Sequence, residues 1–385
     1  MGKIFPLIAQ RKPKFFGIFA NYFGKTPNLT MQKGRGTQHL RQSRFHKEIR
    51  EPDPEHLSEP TEMEDLLFPS PKTCFIEVFP KTILNKVESP DVPMDWGLNP
   101  YQGCEHGCTY CYARPTHEYW DYNAGLDFES VILLKMKAAE LLRREINHPK
   151  WIAKPIMLSG NTDCYQPAER KYRLTRQILE VLHRQRHPVG IITKNALIER
   201  DLDLLSDMAK DNLVAVNLSL TTLDKEVKSK MEPRTSRPEK ILDCISNLRD
   251  AGIPVRVLFS PVIPSLTDHE LMSVAEAVHK AGAMDFGYQV VRLNGAVEEI
   301  FRHWIEEAFP ERAPKVLRQI ADLHGGKTAD SRFGTRMRGE GIWAQSIKNQ
   351  YQVAKRKFFP HPPSFTYNTS LFEQHREGQM KIAFG

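Results

Sequence analysis

The sequence predicts an α/β fold of successive βα units. Three observations carry this reading. Short β-rich runs at 155–160, 189–194, 213–220, 255–259 and 286–291 are nearly continuously apolar, as in "VGIITK" and "LVAVNLSL". Runs of this kind suit strands buried on both faces of a parallel sheet. Stretches with helical spacing separate them, at 168–185, 199–210, 237–252 and 267–282. The polar, chemically capable residues gather in the loops that follow the strands.

Taken in order, residues 1–50 form a basic tail, with eleven Lys and Arg against Glu48 alone. That is a net of +10 there and −3 over the rest, out of +7 for the chain. Such a tail holds phosphates or is simply a solvated lead-in. Met31 offers an alternative start, and an organelle leader is a lesser reading of residues 1–30. Residues 51–94 read as a Pro/Glu-rich linker and lead-in, densest at 51–72. A first strand is expected near Leu98–Gly103, which completes six βα units over residues 95–295. Two helices stop at Ala-Gly, and Thr267 with Glu270 fits a capping box. Residues 296–385 form a C-terminal helical and loop extension, in which 300–309 is an amphipathic packing helix. Repeated units of this type make an open doubly wound sheet or a barrel, and six fall short of the eight that close one. No Gly-x-Gly-x-x-Gly opens a helix, so a dinucleotide fold has no local support.

Composition narrows the class. Hydrophobic residues make up 40% without any run of membrane-spanning length. Six cysteines in 385 residues form no disulfide framework, and no secretory signal with a clear cleavage site is visible. A reducing cytoplasm is the expected compartment, and clustered thiols there bind metal more often than they pair.

Half of the cysteines, Cys104, Cys108 and Cys111, lie in the phrase "NPYQGCEHGCTYCYARPTH" at 99–117. The spacing is Cys-x3-Cys-x2-Cys. A structural zinc site needs four closed ligands, so His106, His117 or a remote residue would have to complete it. Three thiolates on one loop instead leave one iron of a [4Fe–4S] cluster without a protein ligand, an open position for small-molecule chemistry.

With Tyr110 before the third cysteine, and with "TDCYQPAE", "ITKN" and "SPVIP" further on, the phrase resembles the signature of the radical S-adenosylmethionine (SAM) superfamily. Within it the likeness is to the branch related to spore photoproduct lyase, loosely labelled DNA-repair photolyase-like. The resemblance covers residues 95–295 and, more weakly, "KGRG" and "DSRFGTRMRGEG". It implies a partial (β/α)6 TIM-type barrel with N- and C-terminal extensions. It also implies two cofactors, a [4Fe–4S] cluster on the three cysteines and SAM, and an external one-electron donor of flavodoxin or ferredoxin type. SAM would be cleaved to methionine and a 5′-deoxyadenosyl radical that abstracts hydrogen from substrate.

The remaining candidates follow from that implication. Lys194 would meet the methionine carboxylate, and Gly160 and Asp163 the ammonium group, in a stretch that departs from the usual Gly-Gly-Glu. Ser219 and Thr221 would take the ribose. Glu232 and Arg234 would pair near the polar end. Tyr110 with Val262 and Ile263 would wall the adenine.

The related lyases return hydrogen from a cysteine three residues before the Asp. Here that position is Gly160, and Cys164 follows the Asp instead. Cys164 is therefore a catalytic candidate or a packed residue, and the radical machinery carries over without the substrate. Arg292 would face the barrel mouth. Arg332, Arg336 and Arg338 would grip phosphate or carboxylate. Cys74 and Cys244 read as packing residues. The expected substrate is a nucleic acid or another large anionic molecule. The alternative is a zinc- or iron–sulfur-binding nucleic-acid adaptor without catalysis.

Overall fold

The computed structural model describes residues 35–37 and 72–372. The basic tail other than 35–37, the segment 38–71 and residues 373–385 lie outside the described residues, and with them the Met31 and leader readings. Ten strands occur among the described residues: β1 (Cys74–Val78), β2 (Leu84–Lys86), β3 (Trp96–Leu98), β4 (Tyr101–Gln102), β5 (Val131–Lys135), β6 (Ile156–Leu158), β7 (Val189–Thr193), β8 (Val214–Ser219), β9 (Val255–Val262) and β10 (Asp285–Val290).

Six of them form a parallel sheet in the order β3-β6-β7-β8-β9-β10, which is also their order along the chain. A doubly wound sheet reverses its order at a switch point; this one does not, and winds in one direction as a barrel does. It stays open. The outer edge of β3 is covered by β2, which runs antiparallel to it. The outer edge of β10 is occupied by the C-terminal extension, through Val290 N–H to the Met337 carbonyl (3.0 Å) and Arg338 to the Tyr288 carbonyl (2.9 Å). Both devices satisfy edge groups that would otherwise invite pairing.

The five apolar runs each became a strand of this sheet. The first strand differs from expectation. It is confined to β3, and Tyr101–Gln102 belongs to a separate sheet of order β1-β5-β4. Pro100 explains the break, because it has no N–H to continue a ladder. The lead-in is likewise more than linker, since it supplies β1 and β2.

The helices between strands include α1 (Leu126–Ser130), α2 (Ala138–Ile146), α3 (Glu169–Tyr172), α4 (Leu174–Arg184), α5 (Leu202–Lys210), α6 (Lys225–Met231), α7 (Pro238–Asp250) and α8 (Leu271–Ala281). The extension adds α9 (Ala296–Ala308), α10 (Ala313–Leu323) and α11 (Gly341–Phe358). The expected capping box before α8 is absent. Thr267 Oγ1 instead accepts the Ile263 N–H (2.9 Å), and the Glu270 carboxylate turns to Thr222 and the Leu223 N–H.

Two apolar clusters dominate. One lies between sheet and helices and contains Ile156, Ile191, Val216, Val257, Phe259 and Cys244. The other packs α9 and α10, with Phe301, Trp304 and Ile305, against Cys108, Tyr110 and Met231. So the packing helix read at 300–309 braces the cysteine loop from below. Cys244 is fully buried, whereas Cys74 is exposed on β1. Among the described residues no helix is long and apolar enough to cross a membrane.

His187 lies in the larger core and sets a pH response. Its Nε2 accepts from the Trp151 indole N–H (3.1 Å), which can only donate, so the neutral ring carries its proton on Nδ1, toward the Pro188 carbonyl (3.0 Å). Burial pulls its pKa down to about 4. The neutral form is favoured in the folded chain, so this stabilisation is complete above pH 6.5 and is lost as pH falls from there toward 4. We expect urea unfolding to weaken by up to about 1.4 kcal/mol per pH unit across that window from this group. A His187→Leu variant should show a shallower slope; an equal slope would contradict the assignment.

Candidate active site

The three cysteines sit on the loop between β4 and a 3-10 helix at Arg114–Trp120. The loop is held by its backbone on several sides. Cys104 N–H reaches the Phe128 carbonyl (2.8 Å), Thr109 N–H the Met231 carbonyl (3.2 Å) and Arg234 N–H the His106 carbonyl (3.3 Å). Gln166 closes the neck, accepting from Glu105 N–H and donating to the Gly103 carbonyl. All three cysteines are free thiols.

Burial raises the pKa of each thiol, so a bound cationic group is needed to hold them as thiolates. Zinc draws its four ligands to one point, about 2.0–2.3 Å away, whereas a cubane spreads three thiolates over separate irons. Among the described residues no three His, Cys, Asp or Glu side chains converge on a single-ion site. His106 is already spent, with Nδ1 3.4 Å from Asp163 and Nε2 3.1 Å from Asn195. Three free thiols on one clamped loop are the donor set that a cluster with one open iron would take.

The ends of β6, β7, β8 and β9 surround this loop with charge. Lys194 Nζ lies 3.2 Å from Glu232 Oε1, donates to the Ser260 carbonyl (3.1 Å) and to Thr221 (3.3 Å), and stands 5.6 Å over the Tyr110 ring. Glu232, fully enclosed, also accepts from Tyr110 Oη, Thr221 Oγ1 and Lys228 Nζ. Burial pushes the Glu232 carboxyl up to about 8 and pulls the Lys228 ammonium down to about 7. After burial, the like charge of Lys194 lowers the Lys228 ammonium further, and the Thr235 hydroxyl offsets part of the rise at Glu232.

Asp163 accepts from Thr193 Oγ1 (2.7 Å), Lys194 N–H (2.8 Å) and Tyr165 N–H (2.8 Å). Burial alone would raise its pKa; His106 and these hydrogen bonds hold it below the ordinary carboxylate value.

At the mouth, Tyr112 directly follows the last cysteine and donates to the Gly160 carbonyl (2.5 Å). The Arg292 guanidinium lies 5.6 Å over its ring, and the buried Nη1 of Arg292 has no hydrogen-bond partner among the described residues. Burial and then the neighbouring Arg336 lower its pKa.

Several expectations are corrected by these positions. Cys164 is fully buried in the sheet–helix core, as its packed alternative has it. Glu232 does not pair with Arg234: it ends α6 one turn beyond Lys228, whereas Arg234 reaches Glu105 (3.4 Å). Of the three residues expected around the adenine, Tyr110 and Ile263 pack into one core cluster and Val262 into the other. The arginines of the 330–341 loop are spent internally. Arg332 pairs with Asp330 and Glu340, Arg336 with Asp91 (2.6 Å), and Arg338 stacks on Tyr288 (4.4 Å). Asp163 has both oxygens engaged in holding the ends of β6 and β7. Ser219 and Thr221 do stand where expected, at and just beyond the end of β8.

Lys228 and the Arg114–Glu129 pair (2.5 Å) were missed from the sequence. For Lys228 a signal existed in its four-residue spacing from Glu232. For Arg114 and Glu129, fifteen residues apart, there was none.

Comparison with known proteins agrees with this arrangement. Residues 98–278 match the family model described as "Radical SAM superfamily". An uncharacterized protein of Mycobacterium tuberculosis is 37% identical over 243 residues, covering 62% of this chain and 71% of that protein. A spore photoproduct lyase mutant superposes with a TM-score of 0.57 at 14% identity, over 80% of this chain and 86% of that one. Spore photoproduct lyase complexed with dinucleoside spore photoproduct gives 0.54 at 15% identity, over 74% and 80%. These two likenesses concern the fold.

Proposed function

Because the chain belongs to the radical SAM superfamily, we propose that Cys104, Cys108 and Cys111 hold a [4Fe–4S] cluster beside a bound SAM, and that the pair acts on a nucleic-acid substrate entering at Arg292. When bound and reduced by an external one-electron donor, the two groups supply a radical that takes hydrogen from substrate. The observation that carries the reading is a clamped loop of three free thiols at the strand ends, ringed by buried charge. Lys194 offers its ammonium to the carboxylate of SAM. Ser219 and Thr221 offer hydroxyls to the ribose, and the Gly160 backbone lines the approach. Glu232 and Lys228 fix Lys194, and Asp163 fixes the loop end from which Lys194 projects.

The substrate class rests on two supports. Arg292 has an unspent donor at the mouth, backed by an aromatic ring suited to stacking. Spore photoproduct lyase, with the same fold, is complexed with a dinucleoside lesion. Gly160 stands where the related lyases carry a cysteine and Cys164 is enclosed, so no thiol returns hydrogen at that position.

Anaerobic reconstitution should yield about four irons and four sulfides per chain. Turnover with deuterated oligonucleotides should then move label into 5′-deoxyadenosine. Stoichiometric zinc without iron would reject the enzyme in favour of an adaptor, and label arriving only from non-nucleotide fractions of a cell extract would reject the substrate class.

A further inference from the structure

We propose that Arg35–Gly36–Thr37 is a strap that positions the cysteine loop, with Glu129 as its anchor. The three residues are buried, yet they come from the basic N-terminal region, far in sequence from Thr73, Gly107 and Glu129. The Glu129 carboxylate accepts the Gly36 N–H (2.9 Å) on one oxygen and the Thr37 N–H (3.1 Å) on the other. Arg35 Nη1 donates to the Glu129 carbonyl (2.6 Å), and Nη2 to Thr73 (3.2 Å).

The same carboxylate receives Arg114 Nη2 (2.5 Å), and Arg114 is fully enclosed. Its remaining nitrogens donate to the carbonyls of Cys108 (2.9 Å), Ala124 (3.2 Å) and Gly125 (3.0 Å). A continuous path of charged hydrogen bonds therefore runs from the strap, through Glu129 and Arg114, to the backbone of the middle cysteine.

The fit is backbone against backbone. A Cβ on Gly36 would stand 1.6 Å from the Gly107 carbonyl oxygen, inside any allowed contact. Gly107, one residue before Cys108, has a φ of +69°, and a Cβ there would meet Glu129 Oε2 at 2.9 Å and Gly36 N at 3.2 Å. Glycine is thus required on both sides of the contact. The tripeptide's contacts include the cysteine loop at Gly107, the helix that carries Glu129, and Thr73 ahead of β1.

The strap acts by limiting local opening of the loop. Gly36→Val should expel it without touching the barrel, and removal of residues 1–37 should do the same, whereas removal of 1–30 should not. The first readout needs no cofactor. In the apoprotein, alkylation of Cys104, Cys108 and Cys111, followed by peptide mass spectrometry, should be about tenfold or more faster in Gly36→Val and in the 1–37 deletion. Cys244 should react at the wild-type rate in all variants, which reports that the core is intact. Equal loop-thiol rates in wild type and Gly36→Val overturn the strap, as does an equal acceleration of Cys244.

The second readout rests on the cofactor reading above. Iron extraction from reconstituted protein by a chelator should be faster by a similar factor in Gly36→Val, and an unchanged rate counts against the strap. A wild-type protein that takes up no iron defeats the cofactor reading, and the thiol rates then decide the strap alone.

Discussion

Cys108→Ala is expected to leave the chain folded but unable to retain a [4Fe–4S] cluster or to form 5′-deoxyadenosine above background. Cys108 is the middle cysteine of the loop, buried in the apolar cluster that α9 and α10 build beneath it. Two remaining thiolates cannot hold three corners of a cubane, and no other cysteine is placed to substitute. Cys164 and Cys244 are locked in the sheet–helix core, and Cys74 is on the separate sheet. Alanine keeps most of the small apolar volume, so thermal unfolding of the apoprotein should move by only about 1 kcal/mol. Cys244→Ala supplies the contrast: a small loss of stability with iron content and cofactor cleavage unchanged. Equal 5′-deoxyadenosine yields from the two variants would remove the three-cysteine loop from the chemistry.

Glu232→Ala should have the largest effect on stability. The carboxylate is the shared partner of two enclosed ammonium groups, Lys194 and Lys228, and of two hydroxyls, Tyr110 Oη and Thr221 Oγ1. Its removal leaves both amines and both hydroxyls without the acceptor they share. Breaking a buried pair from one side costs about 3–5 kcal/mol, equivalent to a fall of roughly 5–8 °C in Tm for a chain of this size. Calorimetry of the apoprotein measures it. Combining Glu232→Ala with Lys228→Met removes one stranded amine and should recover a large part of the loss. It should not recover SAM affinity, because Lys194 would still lack the carboxylate that orients it. A Tm within about 2 °C of wild type for Glu232→Ala alone would show that the network carries little stability.

The parts of this fold that were legible in the sequence share a physical cause. Strands enclosed on both faces, such as β7 and β8, must be apolar throughout, and that pattern survives in a bare string of residues. The cysteine loop was legible because metal chemistry fixes spacing. β1 escaped because its mixed burial gives "CFIEV" no continuous apolar character, and its partner β5 lies 57 residues away. The pairing of Glu232 with Arg234 was suggested by nearness along the chain, while the helix placed Lys228 beneath the carboxylate instead. Residues adjacent in sequence, Val262 and Ile263, join different cores at a strand end, a division that the apolar run at 261–263 does not reveal. The unspent guanidinium nitrogen of Arg292 is a property of three-dimensional neighbours and has no counterpart in sequence.

The contact between Gly36 and Glu129 spans 93 residues, which sets an order of events during synthesis. At ordinary elongation rates the tripeptide leaves the ribosome roughly 5–20 s before its docking place has been made. It must wait undocked until Glu129 has been made. Bulky fusions placed upstream of it would hinder that delayed docking, so purification handles belong at the other end of the chain.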